Sequence, residues 1–230
     1  MKNVLNEKPN HKLDGRLLYS AKFTHDVDIE NKKILDISCG FGWFELDILK
    51  RGVNEIIGIE LSRDDLKTAK EGVIDKRAKF KVGSAIDLPF KNNSFDTMIA
   101  WEVIEHIPKN TENQMFAEVN RALKKDGVFY LSTPNKSFFS NVLDPAWWLI
   151  GHRHYSKKQL MKYSDDHSFE ILDMQAKGKL WSLLANLNMY ISKWVFRRKP
   201  IFQDYFIKKE NIEYKKDDGF ANIYVKFRKV

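Results

Sequence analysis

A glycine-containing loop and an acidic residue twenty positions beyond it form the clearest candidate ligand site in the sequence. The segment 36–42 reads DISCGFG, and Gly40 and Gly42 lack the Cβ atoms that would keep a ligand away from the backbone. Glu60 ends a short apolar run, where its carboxylate can accept hydrogen bonds from both hydroxyls of a ribose. A dinucleotide site would need a third glycine where Glu45 stands, and no Lys-Ser or Lys-Thr pair follows the glycines as in a P-loop. The spacing therefore predicts a nucleoside ligand without phosphates.

Three histidines are candidates for proton transfer. His106 follows Glu105 after an apolar run, and His152 and His154 lie in the segment GHRHYS. A neutral imidazole can accept a proton near neutral pH, so each is a candidate catalytic base or substrate contact. The alternative is a structural role, in which hydrogen bonds from these rings shape their loops. Two histidines separated by one residue can also bind a metal, but no third ligand set is evident nearby, and we expect no metal site.

These candidates need a scaffold that brings strand ends together, and the chain alternates strand-like and helix-like segments. Predicted strands cover residues 33–38, 55–60, 78–82, 95–101 and 127–133, followed by half-buried strands at 169–174 and 222–228. Helices are predicted to begin at Ser62, Thr111 and Ser156, because each precedes an acidic or amide side chain by three positions, as in a capping box. This alternation predicts βαβ units and a mostly parallel sheet, which binds ligands at the carboxyl ends of its strands.

Several segments resemble, in the correct order and spacing, the motifs of class I S-adenosylmethionine-dependent methyltransferases. ILDISCGFG resembles the first motif and IIGIELSRDDLKTAK the second. VGSAIDLPFKNNSFDTMIAWEVIEHIP resembles the third and fourth, and EVNRALKKDGVFYLSTPN resembles the fifth strand with its preceding helix. The resemblance covers roughly residues 30–135. It is strongest to the small-molecule enzymes of ubiquinone and menaquinone biosynthesis.

The resemblance implies an α/β fold: a Rossmann-like, doubly wound, seven-stranded, mostly parallel sheet with an antiparallel last strand. It implies S-adenosylmethionine as the cofactor and methyl transfer as the activity. The implied cofactor-binding residues are Asp36, Ser38, Cys39, Gly40, Gly42, Glu60, Leu61, Ser84, Ala85 and Trp101. Two positions depart from the family pattern, because Ser38 replaces the first motif glycine and Ser84 stands where an aspartate often meets the adenine amino group.

Length and cysteine content favour a single cytoplasmic domain. With 230 residues the chain can form one α/β domain, comprising a lead-in at 1–32, a cofactor-binding core at 33–135 and a substrate side at 136–230. The substrate side includes a helical insertion at about 178–219. Cys39 is the only cysteine, which excludes an internal disulfide, and no apolar run is long enough to span a membrane.

The charge and the aromatic residues are concentrated in the last third of the chain. Residues 151–230 contain 17 basic and 9 acidic residues, a net charge of +8, whereas residues 1–150 are neutral. Apolar residues at 180–196 share one helical face, and a second patch covers 138–150. An amphipathic helix with basic residues is typical of membrane-surface binding, although a lid helix packed on the domain would have the same pattern.

These features favour O-methylation of a small-molecule, lipid, quinone-type or glycan-lipid acceptor, with peripheral association to an anionic membrane as an expectation. Nucleic acid is not expected as a partner, since no [DN]-P-P-[YF] motif follows the fourth strand and Cys39 lies in the cofactor loop. RNA methylation of another kind, or cofactor binding without catalysis, stays an alternative. The oligomeric state is not predicted.

Overall fold

The computed structural model describes residues 8–9 and 12–230. For residues 145, 149 and 150 it describes the backbone alone. The remaining residues of the predicted lead-in, 1–7, 10 and 11, lie outside this range. Seven strands form one sheet in the order β3-β2-β1-β4-β5-β7-β6. Strand β7 is antiparallel to both of its neighbours, and the pairs formed by β1 to β5 are parallel. The predicted fold class is confirmed.

The strands are β1 (Lys33–Ile37), β2 (Glu55–Glu60), β3 (Ala78–Val82), β4 (Phe95–Trp101), β5 (Leu123–Pro134), β6 (Phe169–Lys177) and β7 (Asn222–Lys229). The helices are α1 (Gly15–Phe23), α2 (Trp43–Lys50), α3 (Arg63–Gly72), α4 (Glu112–Ala122), α5 (Phe138–Leu143), α6 (Pro145–Ile150), α7 (Lys157–Asp166), α8 (Leu180–Tyr190) and α9 (Gln203–Tyr214). A 3₁₀ turn covers Asp26–Asp28 and a π-helical turn covers Ile191–Val195.

Strand β1 shows why the central strands read as continuous apolar runs. Leu35 and Ile37 belong to the hydrophobic cluster on one face of the sheet, and Ile34 belongs to the cluster on the other face. Helices cover both faces of a parallel sheet, so both sets of alternating side chains are buried. The order of the strands across the sheet reverses between β1 and β4, since β2 and β3 lie on one side of β1, and β4 and β5 lie on the other. The loops that follow β1 and β4 therefore border one crevice.

Two of the three predicted helix caps are present. The side chain of Ser62 accepts a hydrogen bond from the Asp65 amide, and Ser156 forms a complete capping box with Gln159. Helix α4 begins directly after Thr111 as predicted, but the Thr111 side chain makes no capping hydrogen bond, and its hydroxyl donates to the carbonyl of Pro108. The predicted helix start is confirmed and the predicted side-chain cap is wrong.

The insertion between β6 and β7 forms two helices rather than the single helix suggested by residues 180–196. Helix α8 ends at Tyr190, the π-helical turn follows, and α9 returns to pack on α8 and α1. The Glu213 carboxylate of α9 accepts hydrogen bonds from the amides of Lys179, Trp181 and Ser182, which satisfies the first turn of α8. Among the described residues, no helix is both long enough and apolar enough to cross a membrane.

Candidate active site

The loop between β1 and α2 adopts the left-handed conformation at three positions. The φ angles are +62° at Ser38, +57° at Gly40 and +83° at Gly42. A Cβ atom built on Gly42 would lie 2.7 Å from Val73, so glycine is required there for packing as well as for conformation. A Cβ atom on Gly40 would meet no atom within 4 Å. The open side of Gly40 therefore gives a ligand close access to the backbone.

Glu60, at the end of β2, is linked to this loop by hydrogen bonds. Its Oε1 atom accepts from the Gly40 amide at 2.7 Å and from the Ser38 hydroxyl at 3.3 Å. The residue is buried, and burial raises the pKa of its carboxyl group. The spacing that predicted a glycine loop opposite an acidic residue thus corresponds to a direct contact.

Two further carboxyl groups lie behind the loop. Asp36 and Glu45 are buried, and Glu45 occupies the space that the missing side chain of Gly58 leaves free. Neither oxygen of Glu45 has a hydrogen-bond partner among the described residues. Burial and the nearby Glu60 raise the pKa of Glu45 to about 8. Burial, together with the nearby Glu45 and Glu60, raises the pKa of Asp36. A cationic ligand would stabilise this cluster of acidic groups.

A cleft of about 460 Å³ opens beside Glu60. It is lined by Ile37, Ser38, Ile59, Glu60, Leu61, Gly83, Ser84, Ala85, Val103, His106, Ile107 and Pro108. Five of the predicted cofactor residues therefore meet in one cleft, together with one of the predicted bases. The hydroxyl of Ser84 accepts a hydrogen bond from the Ile86 amide, which leaves its own proton free to donate.

The remaining predicted cofactor residues do not line this cleft. Asp36 and Cys39 are buried behind the loop, and burial raises the pKa of the Cys39 thiol. Trp101 lies farther away, with its ring 6.0 Å from the Phe44 ring and 6.1 Å from the Tyr224 ring. It lines neither cavity described here. Trp101 ends β4, and its side chain packs against the hydrophobic cluster that includes Phe44, Tyr130 and Tyr224. Its contact with the cofactor stays a prediction.

A second cavity of about 400 Å³ lies on the substrate side. It is lined by Arg16, Pro134, Ser140, Asp144, His152, His154, Leu183, Asn186, Met189, Tyr190, Ala221 and Asn222. Helix α8 of the insertion forms one wall, and the segment that joins α5 to α6 forms another. The cavity combines polar groups with apolar side chains, as a site for an amphipathic small molecule would.

Two of the predicted histidines, His152 and His154, meet at one carboxylate, and the third, His106, contacts His152. Oδ2 of Asp144 lies 2.9 Å from His152 Nδ1 and 2.8 Å from His154 Nε2. On its other side, His152 Nε2 lies 3.3 Å from Nε2 of His106. Burial opposes the charge of Asp144, but the hydrogen bonds from His152 and His154 outweigh it and hold the pKa of the carboxyl well below its usual range. Desolvation, followed by the neighbouring His152, lowers the pKa of His106 to about 4.

The sequence predicted no metal site because no third ligand was evident near His152 and His154, and the structure places further candidate ligands beside them. Ligand atoms of Glu105, His106 and His152 lie within 4.8 Å of one another, as do those of Asp144, His152 and His154. The third ligand that the sequence did not reveal is therefore present. In the structure, however, Asp144 serves both imidazoles as a hydrogen-bond acceptor, and its Oδ1 atom caps α6 through the Ala146 amide.

A second polar network joins two residues of the cavity lining, Arg16 and Asn222, to Glu102. Glu102 adopts φ +56°, an uncommon backbone conformation for a residue other than glycine. Its carboxylate accepts hydrogen bonds from Ser132 at 2.6 Å, Arg16 at 2.8 Å and Asn222 at 3.0 Å. Glu105 is buried nearby, one of its oxygens lacks a partner among the described residues, and burial raises its pKa.

Sequence reasoning missed Arg16, Asp144, Tyr190 and Asn222. Arg16 and Asn222 are separated by most of the chain, and no local pattern joins them. Asp144 had one signal, since an aspartate before a proline is a favourable helix N-cap, but that signal indicates a helix start and not a partner for two imidazoles.

Comparison with known proteins agrees with this geometry. Residues 35–131 match the methyltransferase domain family. A ubiquinone biosynthesis O-methyltransferase from Pelagibacter ubique is 28% identical over 161 residues, which are 67% of this chain and 64% of that protein. A norajmaline N-methyltransferase from Rauvolfia serpentina is 26% identical over 211 residues, which are 90% of this chain and 68% of that protein. The chain thus spans about two thirds of the length of these relatives.

The fold is shared with solved structures. A Haloferax volcanii methyltransferase, solved in complex with the Trm112 methyltransferase activator, superposes with a TM-score of 0.66 and 18% identity. The match covers 91% of this chain and 88% of that one. At this identity the similarity establishes the arrangement of strands and helices.

Proposed function

We propose that this chain, whose residues 35–131 match the methyltransferase domain family, is a class I S-adenosylmethionine-dependent methyltransferase that methylates an oxygen atom of a small-molecule or lipid-linked acceptor. S-adenosylmethionine supplies a methyl group on a sulfonium, which is already activated toward nucleophiles. The protein must therefore hold the acceptor in line with that methyl group, exclude water and remove the hydroxyl proton.

The residues of the cofactor cleft fit S-adenosylmethionine. The cofactor carries a sulfonium and an ammonium group, and the cleft has Asp36, Glu45 and Glu60 beside or behind its glycine loop. The open side of Gly40 leaves room for the methionine portion. Glu60 has the chemistry to hold the ribose, and Leu61, Ser84 and Ala85 line the part of the cleft suited to the adenine ring.

One observation carries the proposal: the cofactor cleft and the second cavity meet at a pair of imidazoles. His106 lines the cleft, His152 lines the second cavity, and their Nε2 atoms are 3.3 Å apart. An acceptor held in the second cavity would approach the cofactor at this junction. A proton-accepting chain placed there is suited to a hydroxyl acceptor, which must lose its proton when the new carbon–oxygen bond forms.

The hydrogen bonds define a path for that proton. Asp144 accepts from His152 Nδ1, so the Nε2 atom of neutral His152 has a free lone pair directed at His106. The acceptor hydroxyl gives its proton to His106, and His106 gives its Nε2 proton to His152. The resulting His152 imidazolium is stabilised by the Asp144 carboxylate. The oxygen gains the methyl group, and the electron pair of the broken sulfur–carbon bond stays on sulfur.

The test is methyl transfer to matched acceptors. The full chain would be incubated with S-adenosylmethionine and pairs of phenols and anilines of equal size, and S-adenosylhomocysteine would be measured. We expect turnover of phenols that falls at least a hundredfold in His106→Gln and His152→Gln. Turnover of anilines alone, unchanged in both variants, would overturn the assignment of oxygen.

A further inference from the structure

Large apolar side chains are exposed on two segments beside the second cavity. Phe138 is 76% exposed and Trp148 is 69% exposed, on α5 and α6. After α8, Val195 is 69% exposed and Phe202 is 76% exposed, with Trp194 and Phe196 about half exposed between them. A monomeric protein rarely exposes so many neighbouring aromatic residues without a partner for them.

Basic residues are interleaved with the second group. The segment 191–209 contains six basic residues and one acidic residue. Arg197, Arg198 and Lys199 are exposed, and in the described part of the chain they form no ion pair with a carboxylate. Arg197 and Phe202 have φ angles of +48° and +51°. This left-handed conformation is sterically unfavourable for residues other than glycine.

Both segments adjoin residues that line the second cavity. The segment between α5 and α6 supplies Asp144 to the second cavity, and α8 supplies Met189 and Tyr190 just before the π-helical turn. Lys193 of that turn lies over the ring of Phe41 in the cofactor loop, with Nζ 5.9 Å from the ring centroid. The exposed aromatic residues therefore lie on segments that adjoin residues lining the second cavity, without lining it themselves.

We propose that Phe138, Phe139, Trp148 and the segment 194–202 form one docking surface, and that its partner is an anionic phospholipid bilayer. Aromatic side chains suit the interface between headgroups and acyl chains, and arginine and lysine bind anionic headgroups. A second copy of this chain would place like charges against Arg197, Arg198 and Lys199, which disfavours self-association through this surface.

The bilayer also explains the mixed lining of the second cavity. An acceptor with an apolar tail can keep the tail in the membrane while its hydroxyl group reaches His106 and His152. This step rests on the proposed function, whereas docking to the bilayer does not.

The test is sedimentation of the full chain with vesicles, without cofactor or acceptor. Vesicles of phosphatidylglycerol and phosphatidylcholine in equal parts would be compared with vesicles of phosphatidylcholine alone. We expect binding to the anionic vesicles that weakens at least tenfold in 0.5 M salt, since salt screens exposed charges within a few ångströms. We expect at least tenfold weaker binding for the triple variant Arg197→Gln, Arg198→Gln, Lys199→Gln, and for Trp194→Ser with Phe196→Ser.

Matched controls lie elsewhere on the surface. Lys67→Gln, Lys70→Gln and Lys76→Gln remove three exposed charges, and Val27→Ser with Ile74→Ser removes two exposed apolar side chains. Both control variants should bind vesicles as the native chain does. Equal weakening by the controls, or no binding to anionic vesicles, would overturn the docking surface. A dimer in solution that dissociates in the Trp194→Ser, Phe196→Ser variant would also overturn it, in favour of a second copy.

Methyl transfer separates this proposal from the proposed function. The docking variants should methylate a water-soluble phenol at the native rate, because none of their residues touches the two imidazoles. Vesicle binding by a chain that methylates no oxygen acceptor would retain the docking surface and remove the proposed function alone.

Discussion

Oδ2 of Asp144 lies 2.9 Å from Nδ1 of His152, and this contact determines which nitrogen of the imidazole carries the proton. With Nδ1 acting as the donor, Nε2 is available as an acceptor toward the junction of the two cavities. The carboxylate also stabilises the imidazolium that would form when His152 takes up a second proton. Asp144 is therefore a positioning residue, which acts on the acceptor through His152.

Asp144→Asn should reduce kcat while leaving KM almost unchanged, and it should lower the stability at neutral pH, because the ionised carboxylate stabilises the folded protein through His152 and His154. Asparagine is as good a helix N-cap as aspartate, so the Ala146 amide keeps its partner and α6 is retained. The amide cannot stabilise an imidazolium, and we expect kcat to fall by about 10²–10⁴-fold. Steady-state kinetics and thermal unfolding would be measured together, with the exposed Asp165→Asn as the control. A rise in KM alone would assign Asp144 to acceptor binding instead.

The rate should be independent of pH between about 6 and 8. The pKa of His106 is lowered to about 4, so the ring is neutral and able to accept a proton throughout this range. The rate should fall only as the pH approaches 4 and His106 becomes protonated. Measurement of kcat/KM from about pH 3.5 to 8.5 in buffers of constant ionic strength tests this expectation. An inflection near 6.5, the ordinary pKa of histidine, would show that protonation of a group other than His106 limits the rate.

Glu60→Gln should weaken cofactor binding by roughly 10–150-fold, which corresponds to the loss of about 1.5–3 kcal/mol for hydrogen bonds to a charged acceptor. Calorimetric titration with S-adenosylmethionine and S-adenosylhomocysteine measures the effect directly. Glu71→Gln, an exposed position on α3, provides the matched control. Equal affinities in the native chain and in Glu60→Gln would remove Glu60 from the cofactor site.

The contact between the glycine loop and Glu60 could be predicted from sequence because these residues are set by local spacing. Gly40 follows β1 and Glu60 ends the adjacent parallel strand β2, and register then brings them together. Trp101 shows the limit of that reasoning, because side chains alternate along a strand. Met98 and Ala100 belong to one core cluster of β4, whereas Ile99 and Trp101 belong to the other side. Attention to this alternation would have placed Trp101 away from the cleft.

The second cavity could not be predicted, because its residues come from distant parts of the chain. Arg16 of α1 and Asn222 of β7 both bind Glu102, although they are far apart in the sequence. The insertion itself was predicted in position, but a single amphipathic pattern did not indicate that α8 ends in a π-helical turn.

Glu45→Gln should stabilise the ligand-free protein at alkaline pH more than at acidic pH. Burial raises the pKa of Glu45 to about 8, from an ordinary value of 4.5. The unfolded chain therefore loses this proton before the folded chain does, and native stability falls as the pH rises from about 4.5 to about 8. Glutamine has no such titration, and each unit of pKa shift corresponds to about 1.4 kcal/mol.

Urea unfolding of both proteins at pH 5 and pH 8 measures this difference. The stability gained by Glu45→Gln should be larger at pH 8, and Glu71→Gln should show no such trend. A gain of the same size at both pH values would show that the carboxyl group is not protonated in the folded protein.

Gly40→Ala and Gly42→Ala should separate ligand access from packing. Both residues have positive φ angles, so each substitution costs about 1–2 kcal/mol of backbone strain. In Gly42→Ala the new methyl group would also lie 2.7 Å from Val73, and we expect a further loss of stability. In Gly40→Ala the methyl group meets no protein atom and instead occupies the space offered to the cofactor. Gly40→Ala should therefore lose more cofactor affinity, and Gly42→Ala more stability, when calorimetric titration and urea unfolding are compared. The reverse order would show that the cofactor does not approach the open side of Gly40.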